Sequence, residues 1–321
     1  MIAFIAIGRN EGERLKRCLA ALRAEGDRIV YVDSGSSDGS VDAAASLGCD
    51  VVVLAPDAPF TAARARNAGF ERSVHRWPEA THVMFIDGDC VIAAGFTAAA
   101  SSALDGNPDW GIVAGRVREL QRDKTVYNRV CDMEWAAPVG EVRAVGGIFM
   151  TRASLFREVG GFNAGVIAAE DDELCIRVRA AGYAVRRIEP GMCFHDAAMT
   201  RFSQWWRRAY RAGHAFAQVG SMHKGYFAAE RRRAYAWGLA LPALSLAAAP
   251  FTKGASLMAL ALYPASFFRT RFNLVKGGAA SEDASIYAAF LTLSKFPNFA
   301  GIADYWRKRL FARPVSIVEY K

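Results

Sequence analysis

The chain reads as an α/β protein with a mainly parallel sheet flanked by helices, followed by a helical C-terminal region. Three observations predict this. Short apolar runs alternate with helix-length amphipathic stretches through the first half. Two loops rich in Asp, Ser and Gly directly follow apolar runs. From about residue 200 the texture turns basic and aromatic, with long uncharged stretches.

In chain order, Ile2–Ile7 is a buried strand rather than a secretory leader, because it is too short and runs straight into Gly8-Arg9-Asn10-Glu11. A helix follows from about Gly12 to Ala24, with Leu15, Leu19 and Leu22 on one face. Ile29–Val32 is the second strand, ending in the turn-rich loop Asp33-Ser-Gly-Ser-Ser-Asp-Gly-Ser40. A helix near Val41–Leu47, a strand at Val51–Leu54, a helix at about Ala62–Ser73 and a strand at Val83–Ile86 complete the alternation. In open parallel sheets ligands bind beyond the carboxyl ends of the strands. The loops at 33–38 and 87–89 both fall at that edge. Further on, a strand at Ala184–Ile188 is expected to end in a turn at Pro190-Gly191.

Of 321 residues, 52% are hydrophobic and 22% charged, which allows a sizeable core and excludes a disordered chain. The six cysteines have no CxxC spacing, which excludes a zinc ribbon or disulfide framework and suits a reducing compartment. The net charge of +8 is uneven: residues 201–276 hold twelve Lys/Arg and one acid. Such a segment favours an anionic partner, a membrane surface or a polyphosphate. Nucleic acid is not expected, since no recognised binding motif accompanies the charge.

Several short motifs could carry chemistry. Asp87-Gly88-Asp89 puts two carboxylates at a strand end, where they could hold Mg²⁺ or Mn²⁺, although an isolated Asp-Gly-Asp is as often a simple turn. Asp33 could accept hydrogen bonds from a base or ribose, or merely organise a capping loop. Arg66 and Asn67 could face phosphate or support the loops. The acids Glu170, Asp171, Asp172 and Glu173 open a helix, where the macrodipole alone explains some of them. Adjacent acids also raise one another's pKa, which suits a general base. His195 follows a strand and gains weight because two Asp need further ligands to hold a metal.

Taken together, and in the order Asn10-Glu11, Asp33…Asp38, Arg66-Asn67, Asp87-Gly-Asp89, Gly146-Gly147 with Gly160-Gly161-Phe162, Glu170-Asp171 and His195, these elements resemble family 2 glycosyltransferases of the GT-A fold. The resemblance covers roughly residues 1–200. It implies sugar transfer from a nucleotide-diphosphate donor, by default a UDP-sugar, with a divalent metal. Asn10, Glu11, Asp33, Arg66 and Asp87 would then serve the nucleotide. Asp89, with Asp87 and His195, would serve the metal. Asp171 would be the catalytic base, with Glu170 beside it. Gly146 and Gly147, together with Trp205 and Trp206 further on, would lie near the sugar and acceptor. One base without a second carboxylate nucleophile points to inversion. Processive synthases carry Gln-x-x-Arg-Trp. Gln204-Trp205-Trp206-Arg207-Arg208 lacks the final Trp, so single-sugar addition is expected.

The division expected is a catalytic domain at 1–200 and a basic, aromatic helical region at 201–321. Within the latter, two uncharged runs, Ala234–Phe251 and Ala255–Phe268, flank Thr252-Lys253-Gly254. They are short for full spans. The basic flanks predict a shallow or re-entrant hairpin on the cytoplasmic face of a membrane, near a lipid-linked or polysaccharide acceptor. The competing expectation is a buried helix pair kinked at Pro242 and Pro264. Two other functions share these features. A nucleotidyltransferase would open with a Gly-rich, basic phosphate loop, which Gly8-Arg9-Asn10-Glu11 fits poorly. A non-catalytic sugar-nucleotide or lipid binder would be expected to lack one of Asp87, Asp89 and Asp171.

Overall fold

The computed structural model describes residues 1–311. The chain forms two compact units, residues 1–122 with 134–197, and residues 123–133 with 198 onward. The sequence predicted a break near 200 but gave no sign that residues 123–133 belong with the C-terminal unit. The expected region at 201–321 extends to residues 312–321, which lie outside the described part.

The first unit is built on a mixed sheet. Its amino-terminal half contains β1 (Ile2–Gly8), β2 (Ile29–Asp33), β3 (Asp50–Val53) and β4 (His82–Asp87), all mutually parallel. The helices between them are α1 (Glu13–Glu25), α2 (Ser40–Ser46) and α3 (Ala62–Arg76). β5 (Cys90–Ile92), α4 (Phe96–Gly106) and β6 (Trp110–Glu119) follow. After α5 (Val126–Trp135) come the short β7 (Gly140–Glu141), β8 (Phe149–Arg152), α6 (Ala153–Glu158), α7 (Glu170–Ala180) and β9 (Ala184–His195). The strand order is β3-β2-β1-β4-β8-β6-β9-β5, with β7 beside β9. β8 runs antiparallel to both neighbours, and β5 and β7 run antiparallel to β9.

The expected turn at Pro190-Gly191 is not a turn. β9 continues to His195, and its pairing with β6 slips at Ala114, Arg116 and Val117, opposite the Pro-Gly step. Proline without an N–H and glycine without a side chain are tolerated in a strand at such a bulge. The continuation matters, because it carries His195 to the end of the sheet.

Apolar spacing sets the helix docking. α1 buries Leu15, Cys18, Leu19 and Leu22, and each fully buried leucine contributes roughly 1.5–3 kcal/mol. α3 lies so close to the sheet that a Cβ on Gly69 would stand 2.3 Å from Ile5 Cγ2. Beneath β4, Phe85 meets Phe149, Phe156 and Phe162 with ring centroids 5.2, 4.9 and 5.4 Å away. The strand that ends in Asp87 is therefore anchored on packed aromatics.

The second unit is helical: α8 (Phe202–Met222), α9 (Ala228–Tyr235), α10 (Leu241–Ala248), α11 (Leu262–Lys276), α12 (Ser281–Leu293) and α13 (Lys295–Leu310). α8 and α13 approach through glycine. A Cβ on Gly213 would stand 2.0 Å from the Asn298 carbonyl, and one on Gly301 would stand 2.0 Å from the Tyr210 carbonyl. Between them His214 is buried, edge-on to Tyr305 at 5.2 Å, and neither ring nitrogen has a hydrogen-bond partner among the described residues.

Burial, reinforced by Lys308 and Arg211 against the opposing Asp304, lowers the His214 pKa to about 4. An unfolded chain binds that proton near the ordinary value of about 6.5, so stability is present above this value and is lost as pH falls toward 4. Denaturant unfolding at stepped pH should show up to about 3 kcal/mol of such loss, and His214→Phe should flatten the slope. An unchanged slope in the variant would remove His214 as its cause.

Candidate active site

The parallel pairing of β1 with β2 and β4 aligns the two Asp loops. Gly8 is in register with Asp33, and Ile7 with Asp87. The loop after β1 is stitched to the loop after β2. The Asn10 N–H donates to Ser36 Oγ at 2.9 Å, the Ser37 N–H donates to Asn10 Oδ1 at 2.8 Å, and the Gly12 N–H donates to Asp38 Oδ2 at 2.9 Å. Asn10 holds the left-handed conformation (φ 54°) that asparagine tolerates best after glycine. Glu11 is buried and pairs with Arg14 at 2.7 Å. Asn10 and Glu11 thus shape the loop in this state.

Asp33 is also spoken for by the protein. It is 1% exposed, and its carboxylate accepts from the Tyr31 hydroxyl at 2.9 Å and from the Gly35 and Ser36 N–H groups at 2.9 and 2.8 Å. These bonds organise the turn after β2, while the N-cap of α2, Gly39, has no side-chain capping bond.

Arg66, expected to face phosphate or to support the loops, is 3% exposed and bridges two elements of the site. Its guanidinium donates to Asp87 Oδ1 at 2.8 Å and to Glu170 Oε1 at 2.6 Å. Burial would lower its pKa, and the Asp87, Glu170 and Asp171 carboxylates more than reverse this, so it stays charged. Gly147 is required by the same bridge: a Cβ there would stand 2.0 Å from Arg66 Nη2. Its neighbour Gly146 lies against the base, 3.9 Å from a Cβ position to Asp171 Oδ2. Asn67 holds the other flank, donating to the Phe162 carbonyl at 2.7 Å and accepting from the Phe162 N–H at 2.8 Å.

The acidic cluster divides its labour. α7 starts after Ala169, which is left-handed at φ 59°. Glu170 is clamped by Arg66. Glu173 is buried and pairs with Arg177 at 2.7 Å; Arg177 in turn donates to the Gly161 carbonyl at 2.7 Å. Asp171 Oδ1 accepts from the Asp172 N–H at 2.9 Å. Burial first, then the Glu170 and Asp172 charges, push the Asp171 carboxyl well above the usual range, with Arg66 opposing. Such a group is a better proton acceptor than an ordinary carboxylate.

The glycine of Asp87-Gly88-Asp89 sits where a Cβ would stand 3.1 Å from the Ile7 carbonyl and 3.2 Å from Leu15. β5 pairs with β9 so that Cys90 opposes His195, and the Asp196 N–H donates to the Asp89 carbonyl at 3.0 Å. His195 Nε2 consequently lies 3.1 Å from Asp89 Oδ2. Trp135 stacks on the His195 ring at 4.5 Å and 14°. Sequence reasoning missed Trp135, and nothing in its local pattern marks it. The ligand atoms of Asp89, Cys90 and His195 lie within 4.8 Å of one another. Burial, the Cys193 hydrogen bond and the Asp89 charge keep the Cys90 thiol protonated. The carboxylate and imidazole are then the donors, a set that fits Mn²⁺ or Mg²⁺ better than a thiolate metal.

Trp205 and Trp206 lie in the second unit. Trp205 is 3% exposed and packs edge-on against Phe290 at 4.8 Å, as a core residue of that unit. Trp206 is partly exposed. Gln204, the residue reminiscent of processive enzymes, caps α8: its Oε1 accepts from the Thr200 and Arg201 N–H groups at 2.8 and 3.0 Å.

Residues 4–157 match the family model described as glycosyl transferase family 2, and residues 132–201 match that of the N-terminal domain of galactosyltransferase. Residues 4–157 form a family 2 glycosyltransferase domain. Two curated relatives, both named pre-mycofactocin glycosyltransferase and from two Mycobacterium tuberculosis strains, are 28% identical to this glycosyltransferase over 227 residues. That match takes in 64% of this chain and 45% of each relative, so it spans less than half of their length. Among solved structures, the mannosyltransferase PcManGT from Pyrobaculum calidifontis, in complex with GDP-Man and Mn²⁺, superposes with TM-score 0.59 at 22% identity, covering 98% of this chain and 88% of that one. S. aureus TarS 1-349 in complex with UDP gives TM-score 0.52 at 12% identity, covering 96% and 91%. At these identities the likeness establishes the GT-A fold of this glycosyltransferase.

The Arg66 bridge is open to a direct test. Replacing it with Met takes the guanidinium partner from the buried Glu170 carboxylate, and should cost roughly 3–5 kcal/mol in denaturant unfolding. Adding Glu170→Gln to Arg66→Met should recover part of that loss, and no recovery would mean that the two residues do not act as a pair.

Proposed function

We propose that this glycosyltransferase moves a sugar from a nucleoside-diphosphate donor to an acceptor hydroxyl in a single, inverting, non-processive and metal-dependent displacement. The observation that carries this is the pair of carboxylates in contrasting settings. Asp171 is an elevated-pKa base in line with Gly146, while Asp89 is a buried carboxylate facing the His195 imidazole.

In the reaction the acceptor oxygen forms a bond to the anomeric carbon as the bond to the diphosphate oxygen breaks. Asp171 takes the acceptor's proton, and the nucleoside diphosphate leaves. Asp89 and His195, with Asp87 nearby, would hold a divalent metal, which would supply charge neutralisation for that diphosphate. Asp171 is oriented by the Asp172 N–H, so its second oxygen is available to the hydroxyl. Arg66 acts as a positioning residue, holding Asp87 and Glu170 in fixed register. A role for Asp33, Asn10 and Glu11 in binding the nucleotide requires the base to share or replace the loop's own hydrogen bonds.

The solved neighbours holding GDP-Man and UDP support a nucleoside-diphosphate donor, with UDP or GDP as the first nucleotides to test. A saccharide or lipid-linked hydroxyl is the acceptor class. Single addition agrees with Gln204 serving as a helix cap. No observation favours a nucleotidyltransferase.

Asp171→Asn removes the proton acceptor at nearly constant shape. It should lower kcat by roughly 10²–10⁴-fold while leaving nucleotide affinity nearly unchanged. In the unmodified enzyme, the acid limb of kcat/KM should lie above the range of an ordinary carboxylate, because Asp171 must be ionised to act. The anomeric configuration of the product, read by proton NMR, should be opposite to that of the donor. Full activity in Asp171→Asn, or a product that retains configuration, would overturn this mechanism.

A further inference from the structure

The strongest unexplained feature lies in the second unit. Between Ala234 and Ala284 the single buried residue is Ser245. Leu244, Leu246, Phe251, Met258, Phe268 and Phe272 are all exposed, Phe251 at 89% and Met258 at 78%. A chain that folds its apolar residues outward over so long a stretch presents a surface meant to be covered. The stretch is nonetheless bonded internally. α10 and the following 3₁₀ turn, Ala255–Ala261, are tied by the Ser256 hydroxyl donating to the Ser245 carbonyl at 2.7 Å. The Tyr263 hydroxyl donates to the Trp237 carbonyl further along. The two runs thus form a hairpin with Thr252-Lys253-Gly254 at its turn.

Charge selects what covers it. Residues 231–281 contain seven Lys/Arg and no Asp or Glu. A second copy of the same face would bring cation against cation, so self-association is disfavoured. A surface that is apolar beneath and anionic above satisfies both features, and a bilayer with acidic headgroups is such a surface. No helix among the described residues is long and apolar enough to cross a membrane. The cations also rule out a steep dip. Arg231, Arg232 and Arg233 mark one end, Arg269, Arg271 and Lys276 the other, and Lys253 the turn itself. A re-entrant hairpin would carry Lys253 to its deepest point, where an unpaired ammonium is costly.

We infer that the 235–275 hairpin of the second unit is a monotopic anchor that lies flat in the headgroup region of an anionic leaflet, with Phe251 and Met258 in the acyl boundary and the flanking cations on lipid phosphates. This stands apart from the proposed transfer reaction, since it concerns binding to lipid without donor or acceptor. An anionic cytoplasmic leaflet is the natural setting. The arrangement explains why the two uncharged runs stop at about 18 and 14 residues.

The test is flotation of the full chain, without nucleotide, on vesicles of phosphatidylcholine alone and of phosphatidylcholine with phosphatidylglycerol. Binding to the anionic vesicles should exceed binding to the neutral ones by about tenfold or more. It should weaken with salt, and fall about tenfold in Arg232→Gln/Arg269→Gln. Phe251→Asp/Met258→Asp should abolish binding. Because both side chains are exposed, its circular dichroism and melting temperature should be unchanged. A Phe251→Trp reporter should be quenched more by lipids brominated near the headgroup than near the chain end. Equal binding to both vesicles, undiminished binding by the aspartate variant, or stronger deep quenching would overturn the inference. So would a dimer that the aspartate variant dissociates in a chain that ignores vesicles, which would assign the face to a second copy.

Discussion

The site depends on one buried cation. Arg66 sits on α3, yet it holds the last residue of β4 and the first residue of α7 at hydrogen-bond distance. Removing two carboxylates and a guanidinium from water is costly unless each finds its partner, and here they find one another. The surrounding glycine follows from this. Gly147 can have no side chain because the guanidinium occupies its space. The consequence reaches Asp171, which lies one residue beyond Glu170 and so takes its position from the clamp. The end of β4 and the start of α7 are therefore not independent segments that happen to meet. They are two arms of one ion-pair network.

The other anchor is the sheet. The continuation of β9 through its bulge pairs Cys90 with His195, and so sets Asp89 against the imidazole. Trp135 fixes the ring plane from the opposite face. An imidazole held by strand register and a stacked indole has little freedom to relax, so its ring nitrogen keeps a fixed place beside Asp89.

The amino-terminal half was legible because its central strands β1, β2 and β4 are largely buried and its helices amphipathic, so apolar period separates them. Asp87, Asp89, Asp171 and His195 stood out as candidates from their order along the chain. What Arg66, Asp33 and Trp205 do was not, because burial and partner choice are long-range facts. A buried Arg66 reads like an exposed one until Glu170, over a hundred positions away, is brought to it. β8 and β6 were not foreseen, since an apolar run without alternation reads equally as a strand or as a buried helix segment. The turn expected at Pro190-Gly191 failed for a local reason: the same residues that break strands also mark bulges. The uncharged runs near 234–268 were visible as composition, while their exposure was not.

Calorimetric titration of UDP, GDP and dTDP, each with Mn²⁺ and with EDTA, into the intact chain and into Asp89→Ala most directly tests whether these residues form one donor site. Metal-dependent binding of one nucleotide, lost in Asp89→Ala, is the result that follows from the geometry of Asp89 and His195. Binding that is indifferent to EDTA and to the substitution, or no binding of any of the three, would contradict it.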